Sequence, residues 1–188
     1  MSILFINACV RPESRTLRLA EYLLGKFKNE KAVTLDLQNE HIEPLNLESL
    51  RKRDKAIADM DFSDPMFRYA KQFAEADTIV MAAPYWDISF PALIKIYFEA
   101  ISVCGITFRY TPEGHPQGLC QAKKFYYVTT AGGYIGNFDF GFQYAKIMAQ
   151  ALYGIPEVRC FRAEGLDIQG TDVEAVMEQA EKGIIIDF

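Results

Sequence analysis

The chain has 188 residues, half of them hydrophobic, and a formal net charge of -5 from 20 Lys and Arg against 25 Asp and Glu. This length suits one well-buried core, so we expect a single domain over residues 1–188. The acidic balance, without an evident basic cluster, argues against a nucleic-acid partner. No apolar run approaches the length of a membrane span, and the N-terminus MSILFINA lacks a basic lead-in, so we expect a cytoplasmic protein.

The cysteines give no sign of a metal centre or of a disulfide framework. They contain no C-x-x-C pair, and only two histidines accompany them in the chain. The six residues concerned are Cys9, Cys104, Cys120 and Cys160 with His41 and His115. This spacing favours reduced thiols.

The first part of the chain alternates apolar runs with helical patterns. A strand is predicted over residues 3–6, a helix over 17–27 and a second strand over 32–37 (AVTLDL). Residues 41–62 carry mixed charge and predict a surface helix whose role the sequence does not indicate. A further helix is predicted over 66–76.

The middle of the chain contains the clearest central strand, TIVMAAP at 78–84. Pro91 suits the first turn of a helix, and the run that follows, to residue 104, has apolar residues at helical spacing. The Gly- and Pro-bearing segment GITFRYTPEGHPQG at 105–118 is predicted to be a connection.

The last part of the chain repeats the same alternation. A fourth strand is predicted over 125–130, a helix over 140–153 and a fifth strand over 158–163. Thr171 is predicted to begin a last helix, with Glu174 completing a capping box.

Five strand–helix alternations predict an α/β fold: a doubly wound three-layer sandwich around a five-stranded parallel sheet. Ligands of such sheets bind beyond the carboxyl ends of the strands. This rule selects three loops, at 8–16, 84–90 and 130–137.

The first loop ends in Ser14-Arg15-Thr16, where a helix begins. Hydroxyl groups together with unsatisfied N–H groups at a helix N-terminus form a cradle for an anion such as a phosphate. Ser and Thr are also common as plain helix caps, and the loop alone favours capping.

The same loop also has the spacing C-x5-R, from Cys9 to Arg15, which resembles the signature of low-molecular-weight tyrosine phosphatases. Three features argue against that chemistry. Pro12 has no N–H to donate, and Glu13 adds a negative charge where a phosphate would lie. The Asp-Pro pair at 64–65 precedes the third strand, whereas a general acid is needed on a late loop.

The second and third loops favour a flat ligand. In PYWDISFP, residues 84–91, two aromatic side chains directly after a buried strand would form a wall for a planar apolar group, although packing on a helix or on a second subunit is an equal alternative. In TTAGGYIG, Gly132 and Gly133 let the main chain approach a ligand edge. Together the three loops predict a flat cofactor with a phosphate tail.

Motifs over most of the chain resemble a known family. The early S-x-T loop, PYWDISFPALIKIYFEAI, GITFRYTPEG and TTAGG together resemble the flavodoxin-like, FMN-dependent NAD(P)H oxidoreductases, specifically the NADH:quinone oxidoreductases known as azoreductases. The resemblance implies non-covalent FMN in a homodimer whose flavin sites lie at the subunit interface. The chain departs from relatives in having Cys9 in place of an early serine and Ala131 in place of an arginine found in some.

The resemblance also assigns three groups of cofactor-binding residues. The phosphate would be held by Arg11, Ser14, Arg15 and Thr16. The isoalloxazine ring would be bordered by Pro84, Tyr85, Trp86, Asp87 and Ile88. The pyrimidine side would be met by Thr130, Ala131, Gly132, Gly133 and Tyr134.

The expected reaction is ping-pong transfer of a hydride from NADH or NADPH to flavin N5, and then of two electrons to a quinone, azo or nitroaromatic acceptor. The cofactor carries this chemistry, so no side chain need be catalytic, although Tyr134 could donate a proton or only pack over the flavin. The alternatives are a non-enzymatic, flavodoxin-like electron carrier and a phosphatase that uses Cys9 and Arg15.

Overall fold

A computed structural model describes residues 2–27, 30 and 32–186. Over these residues the chain forms seven β-strands and six α-helices, numbered here in chain order. The strands are β1 Ile3–Asn7, β2 Ala32–Asp36, β3 Thr78–Ala82, β4 Phe108–Tyr110, β5 Pro116–Gly118, β6 Lys124–Thr130 and β7 Glu157–Ala163. The helices are α1 Arg15–Leu24, α2 Leu47–Asp59, α3 Arg68–Glu75, α4 Ala92–Ile101, α5 Phe140–Ile147 and α6 Val173–Lys182.

Five of the strands form one parallel sheet in the order β2-β1-β3-β6-β7. Side chains on its two faces build separate cores. Leu19 of α1 and Met177 of α6 belong to one core, and Phe73 of α3, Phe98 of α4 and Ala145 of α5 belong to the other. The predicted doubly wound three-layer sandwich is confirmed. Burial on both faces explains why the strands read as unbroken apolar runs.

Two predicted helices contain a change of helical type. A 3-10 turn over Pro65–Phe67 leads into α3, and α5 continues into a π-helical turn over Met148–Leu152. The predicted surface helix within 41–62 is α2, which has no fully buried residue. Its Ala56 and Ile57 pack against a small cluster that includes Phe67.

The segment predicted as a plain connection, 105–118, contains an antiparallel hairpin of β4 and β5. Its turn is closed by a hydrogen bond from the Thr111 N–H to the His115 carbonyl, 2.8 Å long. A five-residue turn with Pro and Gly between two short extended runs is a hairpin signal, and the prediction missed it.

The start of α6 was predicted one residue too early. Asp172, not Thr171, caps the helix by accepting a 3.1 Å hydrogen bond from the Ala175 N–H. The Thr171 hydroxyl donates instead to the Gly165 carbonyl. The predicted capping box is also wrong, because the Glu174 carboxylate pairs with Arg18 of α1 at 2.7 Å. A charged partner on a neighbouring helix has displaced the local interaction.

None of the described helices combines the length and the apolar character needed to cross a membrane.

A buried hydroxyl in the second core yields a stability prediction. Tyr97 is fully buried, and its hydroxyl makes no hydrogen bond within the described residues. The equally buried Tyr153 has its hydroxyl 2.8 Å from Ser102 Oγ. Because an unpaired buried hydroxyl costs free energy, we expect Tyr97→Phe to keep or raise the free energy of unfolding, by up to about 1 kcal/mol.

Tyr153→Phe is the matched control. It removes a paired hydroxyl and should lower the free energy of unfolding by about 1 kcal/mol. Urea denaturation of the two variants measures both changes. An equal loss of stability in both would contradict the prediction.

Candidate active site

The three predicted loops meet in one cleft of about 450 Å³ at the carboxyl edge of the parallel sheet. Ten of the fourteen predicted cofactor-binding residues line it. They are Arg11, Ser14, Arg15, Thr16, Pro84, Tyr85, Trp86, Thr130, Ala131 and Gly132. The other lining residues are Val10, Glu13, Leu166 and Asp167. Asp87, Ile88, Gly133 and Tyr134 do not line the cleft.

The first loop provides main-chain donors at the start of α1. Ser14 is the helix cap, and its Oγ accepts from the Leu17 N–H at 3.2 Å. The N–H groups of Arg15 and Thr16, at the first two helical positions, have no intrahelical acceptor. Those of Arg11 and Glu13 have no acceptor within the described residues. Capping by Ser14 therefore leaves main-chain donors available for an anion. Helix capping and anion binding by this loop are compatible.

Thr16 ties the first loop to the third. Its side chain is almost fully buried, and its Oγ1 lies 2.6 Å from Oγ1 of Thr130. The hydroxyl pair fixes the N-terminus of α1 against the end of β6, so the cradle has a defined position relative to the third loop.

The second loop turns sharply beside the cleft. Trp86 and Ser89 exchange main-chain hydrogen bonds of 3.1 and 2.8 Å. Between them Asp87 and Ile88 both have positive φ, 49° and 59°. This is the backbone of a type I′ turn, which normally contains Asn, Asp or Gly, and a β-branched residue there is strained. Both side chains are exposed, and neither residue lines the cleft.

Tyr85 forms the inner part of the aromatic wall. Its N–H donates to the Thr130 carbonyl at 3.2 Å, and its hydroxyl donates to the Phe138 carbonyl at 2.9 Å. Burial, followed by the nearby Asp139 and Glu164 carboxylates, raises the pKa of this phenol. The hydroxyl is therefore a neutral anchor to the main chain directly after the third loop.

The third loop contributes Thr130, Ala131 and Gly132 to the cleft, and the chain then turns away. Tyr134 is 78% exposed, and its ring lies over Gly165, where an added Cβ would be 3.3 Å from Tyr134 Cε1. The predicted proton or hydrogen-bond donor at Tyr134 is thus placed outside the cleft.

A fourth loop, residues 164–168, completes the cleft and was not predicted. It follows β7 and contributes Leu166 and Asp167. The signal was available, because the carboxyl-end rule that selected the first three loops applies equally to the fifth parallel strand.

The charged side chains of the cleft balance. Arg11 and Arg15 are positive, and Glu13 and Asp167 are negative. Arg15 is paired with Asp167 at 2.7 Å, so the cleft has no strong net positive charge with which to attract an anion. Oriented N–H groups and hydroxyls must carry a large share of any phosphate binding.

Cys9 is buried beneath the first loop and does not line the cleft. Burial raises the pKa of its thiol to about 11, with further increases from Asp36 and Glu21, while a hydrogen bond with Ser14 acts in the opposite direction. A thiol that stays protonated at neutral pH is a poor nucleophile. The structure therefore argues against the phosphatase hypothesis.

Comparison with known proteins gives a consistent result. Residues 1–185 match the Flavodoxin_2 family, described as a flavodoxin-like fold. A relative from Lachnoclostridium phytofermentans, named FMN-dependent NADH:quinone oxidoreductase, is 36% identical, with 96% of this chain and 94% of that protein covered.

Two solved structures extend the comparison. The azoreductase of Bacillus anthracis str. Sterne is 25% identical, with a TM-score of 0.82 and coverage of 97% and 95%. An FMN-dependent NADH-azoreductase from Bacillus anthracis str. Ames Ancestor, in complex with FMN, is 20% identical with a TM-score of 0.79 and 96% coverage of both chains, which supports the fold alone.

The raised pKa of Cys9 predicts a pH dependence of thiol alkylation. With a pKa of about 11, the thiolate fraction at pH 8 is only about 0.001, and it should rise about tenfold per pH unit up to pH 10. Iodoacetamide labelling followed by peptide mass spectrometry measures the rate at Cys9. The chain unfolded in urea is the control, and its alkylation rate should be far higher at pH 8 and should level off near pH 10, because an ordinary thiol has a pKa near 9. Equal rates of Cys9 alkylation in the folded and the unfolded chain at pH 8 would contradict the prediction.

Proposed function

The chain belongs to the flavodoxin-like family of FMN-dependent NADH:quinone oxidoreductases and azoreductases and is an oxidoreductase, and from this premise we propose that its cleft binds FMN and reduces planar acceptors. The electron donor is NADH or NADPH, and the acceptor is a quinone, azo or nitroaromatic compound. Residues 1–188 act as one FMN-binding domain. The meeting of an anion cradle, an aromatic wall and a glycine turn in one cleft carries the proposal.

The phosphate end of FMN fits the first loop. The helix N-terminus supplies free N–H groups and a partial positive charge, and a phosphate is the anion such a site favours. Arg11 and Arg15 add cationic donors, and the hydroxyls of Ser14 and Thr16 lie at the helix start. Pro12, which has no N–H, is absent from the lining of this cleft.

The ring end fits the second and third loops. Pro84, Tyr85 and Trp86 provide an apolar and aromatic border, and Trp86 remains 37% exposed and free to stack. Asp87 and Ile88 follow Trp86 just outside the lining of the cleft, and we propose that their main-chain groups meet a polar ring edge. The main chain from Thr130 to Gly132 lines the cleft and would approach the pyrimidine side, with Gly133 and Tyr134 farther out.

When bound, FMN accepts a hydride from the nicotinamide and passes two electrons to the acceptor. The residues of the cleft bind and orient the ligands, and none needs to act as a nucleophile. Tyr85, whose hydroxyl is committed to the Phe138 carbonyl, is held in place as part of the wall. Because donor and acceptor are both planar and the aromatic wall borders this cleft, we propose that they occupy it in turn, which gives ping-pong kinetics.

We further propose a homodimer with the flavin sites at its interface. An apolar groove of about 560 Å³ lies between the second loop and α5, with Phe90, Phe140 and Ile147 among its lining residues. The second loop borders both cavities, because Tyr85 and Trp86 line the cleft and Phe90 lines the groove. A second copy of the chain would cover both the groove and the exposed aromatic wall.

A cytoplasmic location is part of the same proposal. The four cysteines are free thiols, and three of them, Cys9, Cys120 and Cys160, have pKa values that burial raises. Unpaired thiols suit a reducing compartment.

The first prediction from this proposal is that the purified chain, mixed with FMN and freed of excess, retains a bound-flavin spectrum that anaerobic NADH bleaches. Initial rates with NADH and a quinone should give parallel double-reciprocal lines. Retained flavin that NADH does not reduce would favour an electron carrier instead. Intersecting lines would contradict the shared site.

The second prediction concerns the dimer. Ile147→Glu places a charge on an isoleucine that is 63% exposed in the groove, and it should shift the chain from dimer to monomer in analytical ultracentrifugation, because burying an unpaired carboxylate is costly. Ile185→Glu is the matched control, since Ile185 is 70% exposed and lies outside the groove. The same sedimentation for both variants would contradict this interface.

A further inference from the structure

The Arg15–Asp167 ion pair links the start of α1 to the fourth loop across the edge of the cleft. Arg15 Nη1 alone makes the link, donating to Asp167 Oδ1 at 2.7 Å and, more weakly, to the Leu166 carbonyl at 3.4 Å. Nε and Nη2 of the same guanidinium make no hydrogen bond within the described residues. One side of the guanidinium is therefore anchored, and the opposite side still has donors to offer.

The fourth loop is a fixed support for this anchor. Its N–H groups at Gly165, Leu166 and Asp167 donate to three successive carbonyls of the third loop at 2.9 to 3.2 Å. The second carboxylate oxygen of Asp167 occupies the space that a side chain on Gly132 would need, since a Cβ there would lie 2.3 Å from Oδ2. A side chain at position 132 would therefore have to displace the Asp167 carboxylate.

We propose that Asp167 is a positioning residue for the phosphate of the cofactor, an inference that rests on the proposed binding of FMN. The carboxylate holds Nη1 of Arg15, and the guanidinium then presents Nε and Nη2 as a pair of parallel donors. This pair matches two oxygens of a phosphate. Asp167 and the phosphate bind different sides of Arg15 and so do not compete for it.

This role predicts that removing Asp167 weakens phosphate binding, whereas charge alone predicts that it strengthens phosphate binding. A carboxylate near a phosphate repels it, so removing a simple bystander carboxylate should tighten phosphate binding. Glu13 is such a bystander, because it lines the same cleft and its side chain makes no hydrogen bond or ion pair within the described residues. Loss of Asp167 instead releases Arg15 and should weaken phosphate binding.

The test compares FMN with riboflavin, which lacks the phosphate. Flavin fluorescence quenching on the full, flavin-free chain gives the two dissociation constants. We expect Asp167→Ala to raise the dissociation constant of FMN about fivefold, because an exposed pair and a charged hydrogen bond are both modest, and to leave that of riboflavin unchanged. Glu13→Ala should leave riboflavin unchanged and lower the dissociation constant of FMN.

An Arg15→Ala background completes the experiment. There the loss of Asp167 should no longer weaken FMN binding, because the carboxylate has no guanidinium to orient. Tighter FMN binding by the single Asp167→Ala variant, or an equal loss for FMN and riboflavin, would overturn the positioning role. If the unmodified chain binds no FMN, the proposed function itself fails. If it binds FMN and Asp167→Ala binds it equally well, only this inference fails.

Discussion

Parallel strand pairing is the constraint on which the rest of the molecule depends. It brings the carboxyl ends of β1, β3, β6 and β7 to the same edge of the sheet, so four loops from distant parts of the sequence meet there. Helices cover both faces of the sheet, which leaves this edge as the place where a ligand can reach the strand ends. The site is therefore a consequence of topology before it is a consequence of any particular side chain.

The start of α1 could take part in phosphate cleavage or in phosphate binding, and the burial of Cys9 decides between the two. If a cysteine thiolate lies beneath a phosphate at a helix N-terminus, the thiolate can attack the phosphorus and the phosphate is a substrate. If no nucleophile is present, the phosphate only holds its ligand in place. Here the thiol of Cys9 is buried and protonated, and the surrounding charges balance, so the loop is suited to holding a phosphate without cleaving it. This arrangement agrees with the proposal that the bound cofactor, and not a nucleophile of the protein, carries the redox chemistry.

The five strands of the parallel sheet and three of the four loops could be predicted from the sequence, because apolar runs and loop compositions are local signals. The fourth loop was missed because Asp167 has meaning only through Arg15 and Gly132, which lie far from it in the chain. The cap of α6 was mispredicted for the same reason, because Glu174 forms an ion pair with Arg18 of another helix. Gly132 lines the cleft, but the sequence does not reveal that the Asp167 carboxylate fills the space where a side chain at position 132 would lie.

The turn at Asp87 and Ile88 has a consequence for binding entropy. An isoleucine does not adopt a left-handed backbone by its own preference, so the paired hydrogen bonds between Trp86 and Ser89 hold the turn in this shape. The free-energy cost of that backbone conformation is part of the free energy of folding and does not arise again when a ligand binds. A ligand that contacts Trp86, which lines the cleft directly beside this turn, meets a surface that is already ordered, and it loses correspondingly less of its binding free energy to arranging the protein.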